Sequence, residues 1–599
     1  MAQRLTRAEV PAEQRWNLED LFSTRDAWEA ELKEIEAALA GGEQFTGRLG
    51  EGAAHCLASL TAFEDLFARV IRATTYAGLR NAEDGANPEN QAAVGTAMAL
   101  QAKAGALHAQ LEATLLGLPE GTLERYLAEE PGLADCRRYL GRLIAEKPHK
   151  LSMEAEVALA SLAEVHHAPQ MIYERIKASD ITFEPITDAS GTTHPVSFST
   201  YEETLERAPD IDLRRKAWAS FNKGLNAYRN TMAATFATEV KKHVVLARLR
   251  KYDSATHMLL HPEEVSVETY HNVLDTIQTE LAPIMRRYAR LRKRVLGMET
   301  MLYPDIEAPL DPTYAPQTTY AEASRLILDS LEVMGPEYAK IIRTSFAEGW
   351  IDWSDNVGKS TGAFCSSPYG AHSYVLISWA NSLRGAFVLA HELGHAAHFT
   401  LANRCQRLIN TWPSMFFVEA PSTINELLLA QHLMRQNPEP RLRRWINMGL
   451  LQTYHHNFVR HLLEGELQRR MYDLAEKGTP ITANTLCEAK GAILREFWGD
   501  TVEIDEGAKL TWMRQPHYYM GLYSYTYSAG LTVATAAAEA IREEGQPAVE
   551  RWLQALKAGG TLSPVELAQL AGVDMTTPAP IRKAIAFVGT LVDDLEKSF

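Results

Sequence analysis

Apolar residues recur every three to four positions from Leu21 to about Ile172, broken only by short signals such as the GG at 41 and the PEG at 119. A period of 3.6 is that of a helix with one buried stripe, so this stretch is expected to form a set of antiparallel helices. The pattern resumes from Tyr201 to about Met298. Between the two, ITFEPI and HPVSF flank the turn-rich DASGTT, which predicts a polar hairpin between Asp180 and Phe198 with a domain join close by. A chain of 599 residues exceeds what one core usually organises. The expected division is an N-terminal helical region over 1–195 and a catalytic region over 196–599. PDIEAPLDPTYAP, at 304–316, reads as an extended, proline-rich connector. One segment breaks the helical rule: in GAFCSSPYGAHSYVLISW, at 362–379, a Gly/Pro/Ser turn leads into a β-rich run, Tyr374 to Trp379, the clearest strand.

The chain carries 60 Lys and Arg against 76 Asp and Glu, a net charge of -16. Binding to phosphates depends on clustered cations, so neither nucleic acid nor an anionic membrane is expected as a partner. The basic runs Arg214 to Lys216 and Arg290 to Arg294 fall at helical spacing among apolar residues and read as solvated helix faces. Five scattered cysteines, Cys56, Cys136, Cys365, Cys405 and Cys487, do not resemble a disulfide framework. With no apolar run of membrane-spanning length and no apolar leader near Met1, a reducing, cytoplasmic setting is expected.

Within GAFVLAHELGHAAHFTLANR, the residues His391-Glu392-Leu393-Gly394-His395 form an HExxH sequence. On a helix, two histidines four residues apart project from one face, where both imidazoles can reach a zinc ion at about 2.0–2.1 Å. Glu392 then lies beside a water whose pKa zinc lowers to about 7, placed to take its proton as general base. An apolar turn, Phe387 to Ala390, leads into these histidines and would otherwise bury them without partners.

Catalytic zinc needs a third protein ligand. The extension HExxHxxGxxH fails, because His398 and Leu401 occupy its Gly and last His positions. Twenty-four residues past His395, the apolar run FFVEAPSTINELLLAQHL contains Glu419 and, seven residues on, Glu426. Glu419 before Ala-Pro-Ser suits a ligand at a helix start, and Glu426, two turns later on the same face, suits an acceptor for a ligand imidazole N–H. His398 shares the face of His391 and reads as a packed or supporting histidine rather than a ligand.

HELGHAAH followed by VEAPS resembles the thimet-oligopeptidase-like zinc metallopeptidases, and in particular the oligoendopeptidase F branch. RWNLEDLF at 15–22, RKYDS at 250–254, DIEAPL at 305–310, GKSTGAF at 358–364 and HYYMGLYSYTYSAG at 517–530 also look like family blocks, spread over almost the whole chain. The resemblance implies a mainly α, two-lobed helical metallopeptidase with a deep central channel, a small β-sheet beside the zinc helix, one zinc ion, and endopeptidase action on short unstructured oligopeptides. In such enzymes a histidine followed by tyrosines on a Gly-containing loop serves the oxyanion and the leaving amine. That role falls here on His517 and on one or more of Tyr523, Tyr525 and Tyr527. The strand Tyr374–Trp379, preceded by Gly362, Ala363 and His372, resembles the edge that pairs with an extended peptide, with Gly362, Ala363, His372 and Tyr374 as substrate-binding residues. A carboxypeptidase and a non-catalytic helical binding protein are the alternatives, and intact Glu392, His517 and Glu419 count against the second.

Overall fold

The computed structural model describes residues 4–436 and 438–599. The chain folds into two compact units, each assembled from separate stretches: unit 1 from Met1–Lys147, Pro316–Gln436 and Ala537–Val573, and unit 2 from Pro148–Ala315, Asn437–Ala536 and Asp574–Phe599. The join expected near 195 lies within unit 2, because long-range contacts, not sequence order, hold the stretches together. In unit 1, for example, Arg407 pairs with the buried Glu64, and the Asn410 side-chain amide donates to the Asp135 carbonyl at 2.6 Å. No helix among the described residues is long and apolar enough to cross a membrane.

Unit 1 is built on long helices, among them Ala53–Glu83 and Pro88–Leu116. These two form a hairpin because Asn87 caps the second, accepting from the Glu89 N–H, and Pro88 supplies a helical φ at its first position. Their facing stripes, Phe63, Val70, Ala77, Leu107, Leu111 and Leu115 among them, form the N-terminal core.

A three-stranded sheet completes the unit. Its strands are β3 (Ile351–Asp352), β4 (Phe364–Ser366) and β5 (Tyr374–Leu376), where β1 (Ile186–Thr187) and β2 (Thr193–His194) are those of unit 2, and its order is β3-β5-β4. β5 runs parallel to β3, with Ile351 opposite Val375, and antiparallel to β4, with Cys365 opposite Val375. The strand expected at an edge is therefore the middle one. Tyr374, Val375 and Leu376 are all buried, and Tyr374 and Leu376 enter the N-terminal helical core.

Lys359, in the GKSTGAF block, locks this sheet. Its ammonium donates to Asp352 Oδ1 at 2.6 Å and to the carbonyls of Asp352, Ser354 and Ile377 at 3.1, 2.6 and 2.9 Å, with neither side chain exposed.

In unit 2, β1 and β2 pair antiparallel, with Ile186 opposite His194, around a turn in which Asp188 Oδ1 accepts the N–H groups of Ser190 and Thr192. This is the predicted hairpin. The connector expected to be extended starts with a 3₁₀ turn, Tyr303–Glu307, where Asp305 accepts the Leu302 N–H at 3.0 Å, and carries no helix or strand over 308–316. The basic run at 214 departs from expectation too: Arg214 is buried and, with Arg215, converges on the buried Asp305 at 2.8 and 2.7 Å. A fully buried carboxylate needs such partners, and they draw the arginines inward.

Lys359→Met is expected to destabilise unit 1 by about 3–5 kcal/mol, since it leaves the Asp352 carboxylate buried with one cation fewer and three carbonyls without their donor. Denaturant unfolding followed by tryptophan fluorescence measures this, and an unchanged midpoint would rule out the lock.

Candidate metal centre

The HExxH segment lies on the helix Leu383–Cys405, started by Ser382, whose side-chain oxygen accepts the Gly385 N–H at 3.1 Å. His391 and His395 stand one turn apart, ring centres 5.1 Å from each other. Glu419 is the N-cap residue of the helix Ala420–Arg435, with Pro421 in its first turn. Its Oε2 is 3.4 Å from His391 Nε2 and 3.3 Å from His395 Nε2. One ligand atom from each of the three residues lies within 4.8 Å of the others. Ligands about 2.0–2.1 Å from a tetrahedral zinc stand about 3.3–3.4 Å apart, so this donor set fits that ion.

Supporting bonds orient two of the three donors, His391 and Glu419. His391 Nδ1–H donates to Glu426 Oε1 at 2.7 Å, which turns Nε2 toward Glu419. Ser422 Oγ donates to Glu419 Oε2 at 3.0 Å and to the Glu419 carbonyl at 2.8 Å. Burial alone would lower the pKa of His391, but hydrogen bonds to Glu419 and Glu426 outweigh it and lift it to about 10. Glu419, likewise desolvated, is held well below the usual carboxylate range by the two imidazoles. Such a site holds protons that a divalent cation displaces on binding. Glu392 is only 7% exposed, and burial raises its pKa against the pull of His391 and His395.

The two helices carrying these residues approach closely at Gly394. A Cβ there would stand 2.2 Å from the Pro421 carbonyl oxygen and 2.6 Å from Ser422 Cα, so only glycine fits without moving backbone. One turn earlier Asn425 Nδ2 donates to the Ala390 carbonyl at 3.0 Å, and Tyr338 donates to Asn425 Oδ1 at 2.8 Å. Asn425 and Tyr338 lie beyond the spacing argument; their only sequence signal is an amide inside an apolar helix. His398 does not join the metal donors. It is wholly buried with neither ring nitrogen bonded to protein, against Phe399 and Phe417, and burial lowers its pKa to about 3.

The small sheet reaches the same helix through Ser373, whose hydroxyl donates to the Ala396 carbonyl at 3.2 Å and lies 2.7 Å from Ser367 Oγ. Of the residues expected to meet a peptide, Gly362, with φ of +84°, and Ala363 lead into β4, the half-buried edge strand. Tyr374 is corrected: it is buried in the middle strand, with both backbone edges engaged by β3 and β4. His372 is also turned inward, Nδ1 2.8 Å from the Ser373 carbonyl, Nε2 3.1 Å from Asp20, and the ring stacked 4.9 Å from Trp350.

His517 belongs to unit 2. Its ring stacks on Tyr523 at 5.5 Å, and its Nε2 is 3.3 Å from the Tyr527 hydroxyl. Tyr523 and Tyr527, four residues apart, share a face. Tyr525 is corrected: it points into the core, edge-on to Tyr270, 5.1 Å away. His461 and His456 complete the group. His461 stacks on Tyr527 at 4.1 Å and stands edge-on to His517 at 4.8 Å, while His456 meets His461 at 4.5 Å. The histidines of TYHHNFVRH, at 453–461, were the available signal. Burial, with His456 and Lys177 nearby, lowers His517 to about 4, so its ring is neutral near pH 7.

Residues 204–587 match the sequence pattern of peptidase family M3, and residues 115–183 match that of Oligopeptidase F. Oligopeptidase PepF of Bacillus subtilis (strain 168) is 32% identical over 591 residues, covering 99% of this chain and 88% of the relative. Group B oligopeptidase PepB of Streptococcus agalactiae is 28% identical, over 95% and 94%. Among solved structures, oligoendopeptidase-F from Enterococcus faecium aligns with a TM-score of 0.73 at 27% identity, covering 95% of this chain and 98% of that one. A Chlamydophila abortus crystal structure aligns over 100% of both chains with a TM-score of 0.92 at 26% identity.

Metal titration of the purified protein is expected to rank three variants. Glu419→Ala loses a ligand and should bind most weakly, whereas Glu426→Ala, which only frees the His391 ring, should weaken binding by about 10- to 100-fold. Gly394→Ala forces the helices apart and should also lower affinity, although it removes no ligand; wild-type affinity there would rule out the close-approach argument.

Proposed function

This chain belongs to peptidase family M3, and from that premise we propose that it cleaves internal bonds of short, unstructured oligopeptides, using one zinc ion held by His391, His395 and Glu419. Family membership makes it a metal-dependent endopeptidase acting on oligopeptides. The observation that carries the finer reading is the 3.3 and 3.4 Å spacing of Glu419 from the two imidazoles, with a buried carboxylate, Glu392, next to His391 on the same helix.

Zinc in that site supplies Lewis acidity toward the attacking water and the scissile carbonyl. Glu392 is the general base: it takes the proton of the attacking water and passes it to the leaving amine. Its desolvation raises its affinity for that proton. The substrate backbone pairs along the outer edge of β4, entered from Gly362 and Ala363, in place of the buried middle strand Tyr374–Leu376. Main-chain pairing calls for an extended peptide, and a folded protein must first open a segment at a cost that can approach its global stability. His517 and one of Tyr523 and Tyr527 donate hydrogen bonds to the carbonyl oxygen as it gains charge. We place the reaction in the cytoplasm, in keeping with five free cysteines, and assign no nucleic-acid partner to a chain of net charge -16.

Glu392→Gln tests the central claim. It should retain metal while kcat falls by about 10²–10⁴, because the amide cannot accept a proton; turnover near wild type in the metal-loaded variant would overturn the assignment. Tyr527→Phe should lower kcat by about 10²-fold or more with metal content unchanged, whereas Tyr525→Phe should leave kcat near wild type. Equal losses from both would point to packing instead of donation. With peptide termini both blocked, cleavage of a good substrate should persist, and its loss on blocking one end would indicate an exopeptidase.

A further inference from the structure

One histidine of the imidazole–phenol group, His461, follows a local break in regular helix, between the helices Pro440–Tyr454 and His461–Glu476. His455–Arg460 forms a π-helical turn, a conformation that is rare and found mostly as a single turn inside α-helices. His461, which stacks on Tyr527 and abuts His517, is the next residue. One carboxylate grips both ends of that turn: Glu307 Oε1 is 3.1 Å from His455 Nδ1 and 3.2 Å from the Arg460 guanidinium. The same guanidinium nitrogen donates to Glu206 at 3.3 Å. Glu206 in turn accepts from Arg514 at 2.8 and 3.2 Å, three residues before His517. In the middle of the turn the Asn457 carbonyl accepts from Ser528 Oγ at 2.7 Å, beside Tyr527.

The network is deep in the unit: the side chains of Glu206 and Arg514 are 5% and 4% exposed, and those of Glu307 and His455 13% each. Buried ion pairs add little stability over apolar packing of the same shape, so their use here is better sought in geometry. A carboxylate between two cations fixes their separation, and these cations stand on the segments that deliver His461 and His517.

We propose that Glu307 and Glu206, acting through His455, Arg460 and Arg514, are positioning residues that hold the π-helical turn and thereby set His461, Tyr527 and His517 against one another. The inference rests on the donor role proposed for His517 and one of two tyrosines, taken here as Tyr527, whose hydroxyl is 3.3 Å from His517 Nε2. Glu307 touches none of these three rings and acts only through the turn.

The test uses the full-length, zinc-loaded enzyme and a quenched oligopeptide blocked at both ends. Glu307→Gln is expected to lower kcat by about 10- to 100-fold, the scale of a roughly 1 Å misplacement, with KM and metal content little changed. A double variant, Glu307→Gln with Tyr527→Phe, separates positioning from general loosening. If Glu307 works through Tyr527, the double variant is no slower than the slower single one, whereas a separate structural effect multiplies the two losses. Wild-type kcat in Glu307→Gln, or multiplied losses, would overturn the proposal. Wild-type kcat in both His517→Ala and Tyr527→Phe would instead remove the donor role and the positioning role with it. Should circular dichroism show Glu307→Gln unfolded, His455→Gln releases one end of the turn and is read by the same criteria.

Discussion

The metal centre depends on how near two helices come at Gly394. With no Cβ, that residue lets the Pro421–Ser422 backbone lie against the HExxH helix, where any side chain would collide with a carbonyl oxygen. That approach brings Glu419, at the start of the second helix, within 3.4 Å of both imidazoles and Glu426, two turns on, within 2.7 Å of His391. Asn425 fixes rotation as well as distance, because its amide bonds the Ala390 carbonyl directly ahead of His391. One packing constraint thus serves the third ligand, the orientation of the first and the burial of Glu392.

Buried charge does related work in each unit. In unit 1 the Lys359 ammonium bonds four oxygens from β3 and the segments around it, so a single side chain fixes backbone that no helix supports. In unit 2 Asp305 gathers Arg214 and Arg215, and Glu307, two residues on, takes His455 and Arg460. GKSTGAF and DIEAPL therefore carry ions that hold irregular backbone, where hydrophobic packing alone would permit several arrangements.

What the sequence disclosed follows the range of each interaction. His391, Glu392 and His395 were legible because helix geometry alone places them. Glu419 and Glu426 were legible as acids interrupting an apolar run. The strand at 374–376 was legible as a strand, yet its neighbours were not, since β3 and β4 are recruited by long-range pairing. Its composition did hold the answer: Tyr374, Val375 and Leu376 are continuously apolar, as suits a strand buried on both faces, whereas an edge open to a peptide should alternate. For the tyrosines, i,i+4 spacing separates Tyr523 and Tyr527 from Tyr525 once Ser524–Glu544 is a helix. The π-helical turn and the discontinuous units could not be read at all, because partners such as Glu307 lie about 150 residues from the backbone they hold.

With β5 in the middle of the sheet, the proposed pairing of a peptide moves to β4, and with it what would set the register between substrate and Glu392. β4 packs directly on the HExxH helix, and a row of hydroxyls ties the sheet to it: Ser367 to Ser373, and Ser373 to the Ala396 carbonyl one residue past His395. These are directional bonds at fixed residues. A peptide paired there would be located by its main chain at every second residue, whatever its sequence. Placement of the scissile carbonyl would then be decided by the sheet's attachment to the helix, and selectivity among peptides by whichever pockets receive the alternate side chains. On the proposed reading, such an enzyme would select conformation before sequence.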